Sequence, residues 1–208
     1  MVMVFGPALL FTHGPKSFLH RFPSAGKILN LGSGPRVISS KITNVDIAQY
    51  PGVSVISDIV SMPFGNNTVS RIICDNVLEH VSEPWKAVSE MHRIMEPGGL
   101  AYVSTPFLYP FHSSPNDFSR WTDEGLKSLF SEFEIVEVGV RSGPFSALNV
   151  YLCYLFATLF SFGSKRFYWI LVDASIFIFF PIKFLDLVFN YFPRSINMAS
   201  HLYCIVRK

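Results

Sequence analysis

The chain has 208 residues, half of them apolar and only 15% charged, with a net charge of +2. That length suits one domain with an elaboration and buries a substantial core, while the charged fraction is low for a soluble domain. No cluster of Lys and Arg interleaves with aromatics as a nucleic-acid groove requires, so no nucleic-acid partner is expected.

Residues 1–25 read as an N-terminal extension. Met1 to Leu10 is apolar but has neither a basic flank nor a cleavage site, so it does not read as a signal peptide. Gly14-Pro15 breaks the extension before a short helix near Lys16–Phe22. The core, residues 26–144, opens with a strand at Lys27–Leu31 that runs into Gly32-Ser33-Gly34-Pro35. A second strand, Thr43–Ile47, carries Asp46 at its tip. Glycines let the backbone approach a ligand closely, and an acid on the next strand tip accepts hydrogen bonds from both ribose hydroxyls. The pair implies a nucleoside cofactor across the carboxyl ends of parallel strands. Pro35 to Ile42 is too short for a full crossover, leaving a turn or two of helix at most.

Strand three is expected at Val53–Ile56, after Pro51-Gly52, and strand four at Val69–Cys74, after Asn66-Asn67. Ser82 is placed to cap a helix with Pro84 in its first turn. Trp85, Val88, Met91 and Met95 recur at helical steps and predict one buried face, and Pro97-Gly98-Gly99 stops the helix. Leu100–Thr105 forms strand five. Thr122 caps a further helix with Asp123 and Glu124 in its first turn. Glu134–Val140 is strand six, and residues 200–208 return as the last strand, His201–Val206. The alternation predicts an α/β fold: a Rossmann-like, mainly parallel seven-stranded sheet with helices on both faces. Cys74, Cys153 and Cys204 lack metal-ligand spacing and sit in apolar runs, which reads as buried, reduced thiol, and no metal site is expected.

Residues 145–199 form an apolar helical insertion before that last strand. Phe145–Phe162 has no charge, Phe167–Pro181 has only Asp173, and 11 of the 21 phenylalanines lie between Phe145 and Phe192. Residues 1–144 carry 11 Lys and Arg against 13 Asp and Glu, whereas residues 145–208 carry six against two. A basic, apolar C-terminal third points to an anionic membrane surface. Two readings stay open: a helical cap packed on its own domain, and a membrane-docking hairpin. Two full spans would carry Lys165 and Arg166 across the bilayer, so an in-plane or re-entrant arrangement is favoured. Lys183 and Arg194 are expected to face headgroups, and Asp173 must turn away from lipid. The expected location is cytoplasmic, peripheral on the inner face of a membrane.

Further motifs follow in order: Met62-Pro63-Phe64 after Asp58, Arg71-Ile72-Ile73-Cys74-Asp75-Asn76-Val77-Leu78-Glu79-His80-Val81, Arg93-Ile94-Met95-Glu96-Pro97-Gly98-Gly99, and Thr105-Pro106. With the glycine turn they resemble the class I S-adenosylmethionine-dependent methyltransferases, in particular the type 11 group, over residues 26–140 and again at 200–207. His112-x-x-Pro115-x-Asp117-x-x-Arg120-x-Thr122 looks like a subgroup associated with glycan and cell-envelope biosynthesis. The resemblance implies S-adenosylmethionine as cofactor. Gly32, Ser33 and Gly34 would pass under its methionine, Asp46 would hold the ribose with Ile47 against the adenine, and Asp58 of Asp58-Ile59 would meet the adenine amino group. Asp75 and Asn76 would close the pocket near the sulfonium. The chain departs from the family where Asn30 replaces a frequent acid and Arg36 a frequent third glycine.

The sulfonium donor is already activated, so the protein must position an acceptor and, for a hydroxyl, remove its proton. His112 is the first candidate base, with Asp117 to orient it and Arg120 to clamp Asp117 or bind an anionic acceptor. His80 lies at the mouth of the family's cofactor pocket. Structural roles are open for all four: Asp117 and Arg120 as a pair ordering their loop, and Leu78-Glu79-His80-Val81 as the start of a helix. The expected acceptor is a small molecule or lipid-linked glycan methylated on oxygen. The alternatives are an inactive scaffold of the same fold at a membrane and a nicotinamide dehydrogenase, the latter disfavoured because Gly32-Ser33-Gly34-Pro35-Arg36-Val37 lacks the last glycine of the dinucleotide fingerprint. The oligomeric state is not legible.

Overall fold

The computed structural model describes residues 13–112 and 115–208. A short helix, α1 (Pro15–Arg21), precedes strands β1 (Ile28–Leu31), β2 (Thr43–Asp46), β3 (Val55–Ile56) and β4 (Val69–Asp75). Helix α2 (Pro84–Ile94) leads into the long strand β5 (Met95–Pro106), and α3 (Asp123–Leu129) into β6 (Glu134–Ser142). Helices α4 (Pro144–Phe160), α5 (Lys165–Phe179) and the short α6 (Asp186–Phe189) follow, before β7 (His201–Arg207) closes the sheet. Met1 to Leu10, read above for a leader, lies outside the described residues.

The seven strands run in the order β3-β2-β1-β4-β5-β7-β6. The pairs β3–β2, β2–β1, β1–β4 and β4–β5 are parallel. Gly98 N–H bonds Lys208 O while Phe107 N–H bonds Ser200 O, so β7 runs antiparallel to β5. The mainly parallel, Rossmann-like α/β sheet expected from the sequence is present. β4 and β5 are buried along nearly their whole length, as strands covered on both faces must be. Ile73, Leu100, Tyr102, Tyr203 and Ile205 share one core with Phe18 of α1 and Ile42.

Local physics explains where the sequence reading missed. Ser82 does not cap α2: Glu83 holds the cap position with no side-chain bond, and Pro84 at the first turn has no N–H to satisfy. Trp85 is 56% exposed, because the buried stripe runs through Ala87, Val88, Met91 and Ile94 instead. The helix ends at Ile94 and β5 begins at once at Met95, so Pro97-Gly98-Gly99 lies inside the strand, with Gly98 at φ +78°. β3 is shorter than expected, and no helix forms between Pro35 and Ile42. Thr122 does cap α3, its Oγ1 accepting the Gly125 N–H at 3.1 Å. All three cysteines are buried and unbridged.

The chain divides into two compact units. One holds the parallel strands, α1 to α3 and residues 112–139. The other, among described residues, comprises Pro106–Phe111 and Val140–Leu202. In the second, α4 packs along α5. The N-terminus of α4 has no local side-chain cap. Asp186, 2% exposed, supplies one from far along the chain: it accepts the Phe145 and Ser146 N–H groups at 2.8 and 2.9 Å and the Ser146 hydroxyl at 2.6 Å. Lys183 lies buried near it at 3% exposure, its pKa lowered by burial against the opposing pull of Asp186, so it cannot meet headgroups as expected. Asp173 is half-buried, with one carboxyl oxygen enclosed. No helix among the described residues is long and apolar enough to cross a membrane.

Candidate active site

The strand order reverses direction around β1 and β4, and ligands of open α/β sheets sit outside the carboxyl ends at such a switch point. Gly32 follows β1 there at φ +59°, and Gly34 adopts φ +53°. A Cβ on Gly32 would stand 2.5 Å from Val77, whereas one on Gly34 would meet nothing within 4 Å. The first glycine is thus required by its neighbour and its backbone; the second leaves open space above the turn.

Asp46, at the end of β2, is buried against this turn. One carboxylate oxygen accepts the Gly34 N–H at 2.8 Å and the other the Ala48 N–H at 2.9 Å. Ser33 N–H bonds Val45 O at 3.2 Å. The acid the sequence placed at the strand tip therefore also shapes the glycine turn. Asn30 is 4% exposed and donates to Asn44 Oδ1 at 3.0 Å, and Asn44 in turn donates to Gly52 O at 2.9 Å. Ile47 is 68% exposed beside Asp46, while Ile59 is buried. Asp58 is exposed beyond β3 and accepts the Val60 N–H at 3.1 Å.

Across the switch point, Asp75 ends β4 and Asn76 follows at φ +59°. The Ser104 hydroxyl on β5 lies 2.5 Å from Asp75 Oδ1 and 3.0 Å from Asn76 Oδ1. Arg36 reaches Asp75 Oδ2 at 3.4 Å, a bridge from the glycine turn to β4 that the sequence did not reveal.

The second group of candidates gathers around Leu78–His80, a single 3-10 turn. The loop 112–120 is tied to it: Phe118 N–H bonds Glu79 O at 2.7 Å, and His80 Nδ1 lies 2.5 Å from Asn116 O, a contact that requires the proton on Nδ1. Arg120 grips Asp117 with both terminal nitrogens, Nη2 at 2.6 Å from Oδ2 and Nη1 on Oδ1. Asp117 also accepts the His112 N–H at 2.8 Å and lies 3.4 Å from His112 Nδ1. The Arg120 guanidinium holds the Asp117 carboxyl down to about 2, although burial opposes it. Both proposed partners of His112 are therefore in place.

Glu79 was not singled out as a site residue, yet it is the centre of this group. Its side chain is fully buried, and among the described residues neither carboxyl oxygen has a hydrogen-bond partner. Burial pushes its pKa up to about 8, with the Arg120 charge pulling the other way. Oε1 lies 3.8 Å from His80 Nε2 and 3.9 Å from His112 Nε2, and the two imidazoles meet edge to face at 5.1 Å. One sequence signal pointed there: a lone carboxylate inside the apolar run Val77-Leu78-Glu79-His80-Val81.

Comparison with known proteins agrees with this geometry. Residues 31–103 match the family model described as a methyltransferase domain. An uncharacterized methyltransferase of Mycobacterium avium is 35% identical over 99 residues, covering 47% of this chain and 39% of that protein. The chain thus spans about two fifths of the length of such relatives. Among solved structures, a SAM-dependent methyltransferase from Archaeoglobus fulgidus aligns with a TM-score of 0.58 at 15% identity, over 93% of this chain and 92% of that one. Phosphoethanolamine N-methyltransferase 2 of Haemonchus contortus, solved with S-adenosyl-L-methionine, aligns at 0.55 and 13% identity, over 93% and 51%. The fold is that of the class I S-adenosylmethionine-dependent methyltransferases. Within it, residues 31–103 match the methyltransferase-domain model, and the relatives named methyltransferase align over about half of the chain.

Proposed function

We propose that this chain binds S-adenosylmethionine and transfers its methyl group to an oxygen of a glycan, a lipid-linked intermediate or another membrane-associated metabolite. One observation carries the reading: the Gly32–Gly34 turn and Asp46 brace each other at the carboxyl ends of β1 and β2, opposite Asp75 and Asn76. The methionine lies over Gly32, Ser33 and Gly34, near Asn30. The ribose meets Asp46, whose oxygens each keep a lone pair beyond the backbone bond they accept. Ile47 covers the adenine, Asp58 with Ile59 meets its amino edge, and Asp75 and Asn76 close on the sulfonium.

In the reaction an acceptor oxygen attacks the methyl carbon in line, the carbon–sulfur bond breaks, and sulfur keeps the electron pair as a neutral thioether. The proton of the acceptor hydroxyl passes to His112 Nε2, while Asp117 steadies the imidazolium and Arg120 keeps Asp117 ionised. His80 and Glu79 lie beside it.

Asp46→Ala tests the cofactor placement. Loss of charge-assisted bonds costs about 1.5–3 kcal/mol, so affinity for S-adenosylhomocysteine should fall about 10- to 150-fold by calorimetry. Unchanged affinity in a folded variant would remove the ribose from Asp46. The same titration on the unmodified chain separates enzyme from scaffold. The scaffold reading draws on Asn30, whose amide is engaged by Asn44 and carries no charge to meet an ammonium group.

The membrane part of the proposal draws on the junction of α4 and α5. Phe162 is 88% exposed there, with Phe167, Trp169 and Ile170 about half exposed and the exposed cations Lys165 and Arg166 beside them. Aromatics with flanking cations are what a headgroup boundary selects, and an in-plane contact needs no crossing helix. A Phe162→Ser, Phe167→Ser, Trp169→Ser triple variant should lose at least tenfold in cosedimentation with vesicles containing anionic lipid, since burying each ring contributes about 2 kcal/mol. Equal sedimentation of variant and parent would refute this docking face.

A further inference from the structure

We propose that Glu79, His80 and His112 form a binding site for one divalent transition-metal ion. One donor atom from each residue lies within 4.8 Å of the other two. Glu79 Oε1 stands 3.8 and 3.9 Å from the two Nε2 atoms. A four-coordinate ion with bonds of about 2.0–2.1 Å holds its donors roughly 3.3–3.4 Å apart, so each Glu79–imidazole contact must close by about half an ångström and the two imidazole donors, within 4.8 Å of each other, by no more than about 1.5 Å.

Two features beyond proximity point to an ion. The first is Glu79: a fully buried carboxyl with neither oxygen hydrogen-bonded among the described residues is costly unless something binds it, and its Oε1 is the atom that stands near both imidazoles. The second is the support behind each imidazole. His80 Nδ1 is held by the Asn116 carbonyl, and His112 Nδ1 lies beside the Asp117 carboxylate. Metal-binding histidines characteristically place the other ring nitrogen against a carbonyl or carboxylate, which fixes the tautomer and leaves Nε2 as the donor. Asp117 is itself fixed by Arg120, so the support extends one step further out.

The donor set selects the metal. Two imidazoles and one carboxylate suit zinc, iron, cobalt, nickel or manganese, whereas calcium and magnesium require oxygen. Three protein ligands also leave at least one position open. Resting on the methyltransferase reading, that position takes the acceptor oxygen. The ion then lowers the pKa of the bound hydroxyl, and the proton leaves to solvent instead of to His112, which has become a ligand. The metal-free chain keeps the imidazole as base.

The test titrates chelator-treated full-length chain with zinc sulfate by calorimetry, with cobalt(II) as a spectroscopic substitute. One ion per chain is expected, and Glu79→Gln, His80→Ala and His112→Ala should each lower affinity at least 100-fold. Cobalt(II) should show no thiolate charge-transfer band, since no cysteine is among the three donors. Glu79→Gln preserves shape and carries the test if an alanine variant fails to fold. No stoichiometric binding, equal binding by the folded variants, or a thiolate band would overturn the site. S-Adenosylhomocysteine binding is measured on the same samples. Zinc without the nucleoside would uphold the ion and sink the methyltransferase reading; the nucleoside without zinc would do the reverse.

Discussion

Arg120→Ala is expected to destabilise the chain by about 3–5 kcal/mol, the largest effect of any single surface-to-loop substitution here. The reason is what it leaves behind. The Asp117 side chain is 1% exposed, and Arg120 is bound to both of its oxygens. Without the guanidinium a buried carboxylate keeps only the His112 N–H at 2.8 Å and the nearby imidazole. An Asp117→Asn, Arg120→Met double variant leaves no unpaired charge and should recover part of the loss. Thermal melts of parent, single and double variants check this. A single variant within about 0.5 kcal/mol of the parent would mean that the pair is as weak as an exposed one. The pH dependence has a definite sign. The folded-state value of Asp117 lies below its ordinary one, so the pair's contribution is complete above the ordinary aspartate range and is lost as pH falls through about 2.

His112→Ala is expected to lower the methyl-transfer rate by about 10²–10⁴-fold, the range for removal of a general acid or base. Affinity for S-adenosylhomocysteine should stay near that of the parent, because the glycine turn and Asp46 do not depend on His112. Single-turnover rates at saturating cofactor, beside calorimetry, separate the two quantities. A collapse of cofactor binding would show that loop 112–120 closes over the cofactor and that His112 acts structurally. Near-normal turnover would remove it from the chemistry altogether.

What could be read from the sequence follows the range of the interactions involved. Local signals worked. Thr122 followed by two acids gave a true cap, and an acid after three strand residues put Asp46 at the strand tip. Strands bounded by turn residues and alternating with helical patterns, with the resemblance, led to the seven-stranded sheet. The failures are tertiary. Nothing local says that Glu83 will take the cap position and leave Ser82 outside the helix, or that the stripe of α2 will pass through Ala87 and leave Trp85 in water. Arg36 read as a missing glycine, yet it spans to Asp75, 39 residues away. Leu78-Glu79-His80-Val81 reads as the start of a helix, whereas the fold buries the Glu79 side chain and brings Phe118 onto its backbone carbonyl. His112, Asp117 and Arg120 are legible as a group because they are close in sequence, and Glu79, the fourth member, is hidden because it is not.

The cap that Asp186 places on α4 also sets an order of events during synthesis. The helix starts at Pro144, but its acceptor is 41 residues beyond Phe145. At about 5–20 residues per second, the ribosome needs roughly 2–8 s to deliver it. Throughout that interval an apolar helix has left the tunnel with its first amides unmet, beside the apolar α5 that follows. The apolar α4 thus waits for a polar anchor that is made only after the whole of α5.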